Sequence, residues 1–106
     1  MVLVYIVCRD REEGRRIGRS LVDERLAACV NMFPIESIYW WQGQVVEDAE
    51  FVVVAKTRDE NCAAVESHIK NMHSYEVPAI IRIPVAGAES HYLAWLEAET
   101  KPSGQD

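Results

Sequence analysis

Two long runs of strand-forming residues, joined by a two-residue turn, constrain this chain more than anything else in it. Residues 28–41 are rich in Val, Ile, Tyr and Trp, and residues 45–57 include Phe51-Val-Val-Val-Ala55. Gln42-Gly43 between them supplies the positive-φ residue that a tight hairpin wants. As a single strand, 28–41 reaches roughly 45 Å at ~3.3 Å per residue. A domain of 106 residues has a radius of gyration of ~13 Å and a diameter of about 33 Å. The hairpin therefore overhangs its own core. Its free end carries Ile38, Tyr39, Trp40 and Trp41, an aggregation hazard unless another subunit covers them. A symmetric oligomer follows. Pro34 carries the competing possibility, two short strands folding back on one core.

The flanking segments complete an α+β pattern. Val2-Leu-Val-Tyr-Ile-Val-Cys8 is apolar on both faces and too short for a helix, as a central strand is. Asp10 followed by Glu13 has the spacing of an N-cap with its capping acid, and Ile17, Leu21 and Leu26 recur at helical intervals over 11–26. Thr57 and Glu60 repeat that spacing ahead of the stripe Cys62, Val65, Ile69 and Met72, which ends near His73. Residues 77–84 read as a strand with proline near each end, hence an edge strand. A last helix over 89–99 carries Tyr92, Trp95 and Leu96 on one side. The order β-α-β-β-α-β-α is a ferredoxin-like plan, βαββαβ plus a C-terminal helix, with a long hairpin between its second and third strands. Residues 1–101 form the single domain, and 102–106 are a polar tail.

Seventeen acids stand against eleven bases, a formal charge of −6, which speaks against nucleic acid. Six arginines fall between Arg9 and Arg25, but the interleaved acids leave a local charge of only +1. Glu12 lies three and four residues before Arg15 and Arg16, the spacing of a self-paired, solvated helix face. No apolar run approaches the ~20 residues of a membrane helix, and 2–7 lacks the flank of a signal peptide. Three cysteines without CxxC spacing argue against a disulfide framework or a zinc knuckle, so the chain is read as cytoplasmic with reduced thiols.

Few residues carry a chemical signal. His68 and His73 are five apart, the spacing of neither a helical metal pair nor HExxH. His73 stands where a helix ends and is followed by Tyr75 and Glu76. Imidazole, phenol and carboxylate there make a cation or small-ligand pocket, with capping of the helix dipole as the alternative. Cys29 is read first as a small core residue and second as a thiolate ligand. Lys56, ending an apolar run, either neutralises an anion or marks the strand's exit into solvent. Trp95 is read as a lid on the core in preference to a ligand platform. With no nucleophile–base pair, phosphate loop or dinucleotide fingerprint, the chain reads as a binding or regulatory protein and not an enzyme. A glycine-rich anion loop after the first strand, which an acylphosphatase-type hydrolase needs, is replaced by Cys8-Arg-Asp-Arg-Glu12.

Three blocks together resemble the CutA-type divalent cation tolerance family. They are Glu24-Arg-Leu-Ala-Ala-Cys-Val-Asn31; Ser37-Ile-Tyr-Trp-Trp-Gln-Gly43 with Val46-Glu-Asp48; and His73-Ser-Tyr-Glu-Val-Pro-Ala-Ile80. Lys56-Thr57 and Tyr92-Leu-Ala-Trp95 also fall where that family has them. The resemblance implies a ferredoxin-like subunit in a cytoplasmic homotrimer like the PII signalling proteins, and tolerance to copper and other divalent metals. Its histidine–proline–tyrosine loop maps onto His73 and Tyr75, with Ser74 standing where proline is usual. Cys29, Trp41, Lys56, Pro78 and Trp95 match family positions. The expectation is a copper-binding trimer with His73, Cys29 and Glu76 as metal ligands and no organic cofactor. The alternative is a PII-like sensor that takes an anionic ligand in inter-subunit clefts, with Lys56, Tyr75 and Trp95 as its pocket.

Overall fold

The computed structural model describes residues 1–101; the expected polar tail at 102–106 lies outside them. The chain runs β1 (Val2–Cys8), α1 (Arg11–Asp23), β2 (Cys29–Trp41), β3 (Gln44–Thr57), a short 3₁₀ turn (Asp59–Asn61), α2 (Cys62–Met72), β4 (Ile80–Pro84) and α3 (Ser90–Glu99). The sheet order is β2-β3-β1-β4, antiparallel throughout. This is the ferredoxin-like arrangement. β1 is central, paired on both sides, and β4 is an edge, which suits the proline at its end. No helix of the described residues is long and apolar enough to cross a membrane.

β2 and β3 pair without interruption from Cys29↔Lys56 to Trp41↔Gln44, straight through Pro34, which faces Phe51. Proline is tolerated there because β2 is an edge strand with no neighbour awaiting its missing N–H. Gln42 and Gly43 take φ of 50° and 78°, a two-residue turn of the primed type that matches strand twist. The ribbon gives the molecule a long axis of 45 Å against 28 and 22 Å in the other directions. At its end Ile38 and Trp40 remain 71% and 73% exposed.

One face of the sheet buries Val4, Ile6, Cys8, Val53 and Ala55 against Ile17 and Leu21 of α1 and Val65 and Ile69 of α2. The opposite face has no helix layer of that kind. Register places Phe33, Val52 and Val7 in one row, Val54, Tyr5 and Ile81 in the next, and Cys29, Lys56, Leu3 and Ile83 in the third. Phe33, Ile81 and Ile83 are exposed there.

Three expectations are corrected at element ends. α1 stops at Asp23, short of residue 26, because Arg25 turns into the left-handed region at φ 57°. α2 does not start from a Thr57–Glu60 capping box: Asn61 is its N-cap, with its side-chain amide donating to the Lys101 carbonyl at 2.9 Å, and the Thr57 hydroxyl donates to the Leu26 carbonyl at 2.5 Å instead. β4 begins at Ile80 and not at 77, although the Val7 N–H still donates to the Ala79 carbonyl. On α1 the i,i+4 ion pair is Arg19–Asp23 and not the expected pairing through Glu12.

α1 lies close on the sheet because two glycines face it. A Cβ on Gly14 would stand 2.5 Å from the Phe51 ring, and one on Gly18 would stand 3.1 Å from Val30. Alanine at 14 gains ~1 kcal/mol of helix propensity but forces the helix off a well-packed ring, which costs about 1–3 kcal/mol. Gly14→Ala is therefore expected to lower stability by up to about 2 kcal/mol, read as a lower urea midpoint at unchanged slope.

Candidate functional site

Where β1 ends and α1 begins, a buried carboxylate gathers three segments. Asp10 caps α1 by accepting from the Glu13 N–H at 2.9 Å. The Glu13 side chain reaches one residue beyond the cap, accepting from the Arg9 N–H through Oε1 at 2.8 Å. Its other oxygen, Oε2, accepts from the Ser74 N–H at 2.9 Å. The side chains of Glu13 and His73 are both fully buried. Burial works to raise the Glu13 carboxyl, but the Arg9 amide and then Ser74, through its hydroxyl and its amide, outweigh it and hold it below its ordinary value.

His73, at the C-cap of α2, is fixed at both ring nitrogens. Nδ1 accepts from the Tyr75 N–H at 2.9 Å, so the ring proton sits on Nε2, which donates to the Val7 carbonyl at 2.7 Å. The imidazole is neutral in one tautomer, and the 3.8 Å from Nδ1 to the Glu13 oxygen holds no proton. The Tyr75 ring packs on the imidazole at 4.8 Å, and its hydroxyl donates to Glu50 Oε2 at 2.6 Å. Burial and the Glu50 carboxylate push the Tyr75 hydroxyl up.

Ligand atoms of Cys8, Glu13 and His73 lie within 4.8 Å of one another. Thiolate, imidazole and carboxylate are donors that copper and zinc take. Here, however, burial and then the Glu13 charge push the Cys8 thiol up to about 12, so it keeps its proton at neutral pH. Both Glu13 oxygens and both His73 nitrogens are already bonded. The residues as arranged do not fit a held ion.

A second cluster forms on the open sheet face. Lys56 Nζ contacts the Tyr92 hydroxyl at 3.4 Å and stands 5.6 Å from its ring centroid. Tyr92 in turn lies 5.5 Å from the Trp95 ring, and Trp95 is 43% exposed. Among the described residues Lys56 forms no ion pair. Trp95 packs on Tyr92, one ring removed from the ammonium, while Leu96 beside it is fully buried.

The structure divides the expected residues. Lys56 and Trp95 are linked through Tyr92, which contacts both; Tyr75 sits in the other cluster, on His73 and Glu50. Cys29 pairs in register with Lys56, four residues along β1 from the row of Val7 where His73 binds, a separation of roughly 13 Å along the strand. Glu76 is exposed and bonds to neither His73 nor Glu13. Within one chain, His73, Cys29 and Glu76 are not one ligand set. Sequence reasoning missed Cys8 and Glu13 as His73's neighbours. Glu13 had been given a capping role, and only the fold shows its carboxylate turned inward.

The family profile described as CutA1 divalent ion tolerance protein matches residues 2–99. The chain belongs to the CutA1 family. It is 43% identical over 103 residues to Protein CutA 1, chloroplastic, of Oryza sativa subsp. japonica; the match covers 96% of this chain and 58% of that relative. The crystal structure of CutA1 from Pyrococcus horikoshii superposes with a TM-score of 0.92 at 40% identity, covering 95% of this chain and 99% of that one. The PII-like protein CutA from Nostoc sp. in apo form gives 0.90 at 32% identity over 96% and 99% of the two chains. CutA1 relatives thus share this ribbon and sheet essentially whole.

Because the Glu13 carboxyl is held below its ordinary 4.5, its contribution to stability is complete above that range and is lost as pH falls towards the folded-state value. Glu13→Gln is expected to cost about 1.5–3 kcal/mol at neutral pH, the worth of hydrogen bonds to a charged group. The gap between the two proteins should narrow on acidification, in urea unfolding from about pH 6 to about pH 3. Asp10 and Glu89, also held low, are common to both proteins and cancel.

Proposed function

We propose that the chain acts in divalent-cation tolerance as a cytoplasmic homotrimer, with copper the first candidate cation, and that it does so as a PII-like sensing module and not as an ion store. Its ligand is a small anion taken up at Lys56, Tyr92 and Trp95. The observation that carries this is the Lys56 ammonium, half-buried on an aromatic ring and paired with no carboxylate among the described residues. A cation so placed gains most from an anionic ligand, and the half-exposed indole one ring away offers the apolar wall of a binding pocket.

The trimer is supported by two apolar surfaces that one chain leaves open, the ribbon end and the sheet face around Phe33, Ile81 and Ile83. The number three comes from the family resemblance. Tyr75, remote from Lys56 within one chain, belongs to the same cleft only if a neighbour supplies it. The three free thiols favour a reducing compartment.

In sedimentation velocity the protein is expected at about 36 kDa, three times the 12.1 kDa of one chain. A thermal-shift screen of nucleotides and organic acids, with and without Cu²⁺, is expected to find an anion that stabilises wild type and not Lys56→Ala. A screen silent to every anion removes the sensing reading, and a monomer removes the trimer.

A further inference from the structure

Cys8, Glu13 and His73 have the chemistry of a soft-metal site in a family named for divalent ions, yet no buried side-chain nitrogen or oxygen of Glu13 and His73 lacks a hydrogen bond. What fills the places of a metal is backbone: the N–H groups of Arg9 and Ser74 on the carboxylate, and the Tyr75 N–H and Val7 carbonyl on the imidazole. One of these four groups depends on the residue type at position 74. Ser74 stands where the resemblance puts proline, and proline has no N–H to give.

We propose that Ser74, through its backbone N–H, completes a lock on Glu13 that excludes divalent ions from the Cys8–Glu13–His73 cluster and fixes the segment carrying Tyr75. Glu13 is the positioning residue of this lock. It ties α1 to residues 73–75, and His73 passes the constraint on to Tyr75 and so to Glu50 at the root of the ribbon. Divalent ions that meet this protein bind outside the cluster. This holds whether or not an anion binds at Lys56.

The serine position can be tested without breaking the chain. His73 has φ −77° and ψ 141°, the extended conformation that a residue before proline adopts, so Ser74→Pro suits the backbone at 73, while its Cδ displaces the Glu13 oxygen that the N–H held. Ser74→Ala keeps the N–H and is the control. In Ser74→Pro the Tyr75 amide is expected to exchange about tenfold faster than in wild type, the loss of one hydrogen bond to a charged group. The Glu13 carboxyl, followed by carbon-13 NMR, is expected to titrate at higher pH. Ser74→Ala is expected to leave Tyr75 exchange unchanged and to raise the Glu13 titration only by the share that the Ser74 hydroxyl contributes. Co²⁺ and Zn²⁺ titrations of wild type and Cys8→Ser are expected to give the same isotherms, with no thiolate-to-cobalt absorption band. His73 nitrogen-15 shifts are expected to show an unprotonated Nδ1 that zinc does not move. A cobalt band in wild type that Cys8→Ser abolishes, or a zinc-dependent shift of His73 Nδ1, overturns the exclusion of metal. Equal Tyr75 exchange in Ser74→Pro and Ser74→Ala overturns the role of the Ser74 N–H. If Ser74→Pro does not fold, the wild-type cobalt and nitrogen-15 readings still decide the exclusion.

Discussion

A two-stranded ribbon longer than the body that carries it governs the rest of this molecule. β2 and β3 stay paired over their whole common length, so every backbone group between them is satisfied without help from the core. Only the half of the ribbon nearer Cys29 and Lys56 packs against β1 and the helices, while the other half extends into solvent with Ile38 and Trp40 bare. An isolated two-stranded hairpin is marginally stable in water. This one persists because β3 continues into the centre of a four-stranded sheet, and its apolar end makes association the natural state of the chain. The bare sheet face around Phe33, Ile81 and Ile83 points the same way, since α1 and α2 cover the other side and α3 reaches this one only near Lys56.

Two charges away from the ribbon end are handled in opposite ways. Glu13 is buried and fully bonded, its cost of desolvation met by amide donors from both sides. Lys56 is half-buried and has only a phenol hydroxyl and a ring to lean on. A saturated group holds structure together; an under-satisfied one near a surface has something left to offer a ligand. That contrast, and not residue type, assigns structure to the histidine cluster and recognition to the lysine cluster. Thiol, imidazole and carboxylate suggest metal as names, and their hydrogen-bond partners argue otherwise.

The fold was legible because its signals are periodic. The apolar run of β1, the stripe Cys62, Val65, Ile69 and the Gln42-Gly43 turn each carry their meaning within a few residues. The overhang followed from length alone. Errors gathered where a local pattern competes with a distant partner. Thr57 and Glu60 have capping spacing, but the Thr57 hydroxyl is claimed by Leu26, thirty-one residues away. Cys29 and His73 both suit metal, but which cysteine neighbours the histidine depends on sheet register, and register chose Cys8. Trp95 and Leu96 are adjacent on one helix, and nothing in the sequence says that the smaller one is fully buried while the larger packs on Tyr92.

Ser74 shows how one backbone atom redirects a site. With proline at that position the Glu13 carboxylate would hold one amide donor and one open oxygen, beside the imidazole and a thiol. Serine fills the open oxygen by contributing a peptide N–H, and its hydroxyl is not needed for that. An ionised carboxylate with both oxygens bonded has less to gain from a cation, and its charge helps keep the nearby thiol protonated. The group that makes the cluster look most like a ligand set is thus the one that binds it into the scaffold. Tyr75 is then held by a rigid tie from α1 and not by a mobile loop, and its hydroxyl on Glu50 couples the histidine cluster to the base of the ribbon.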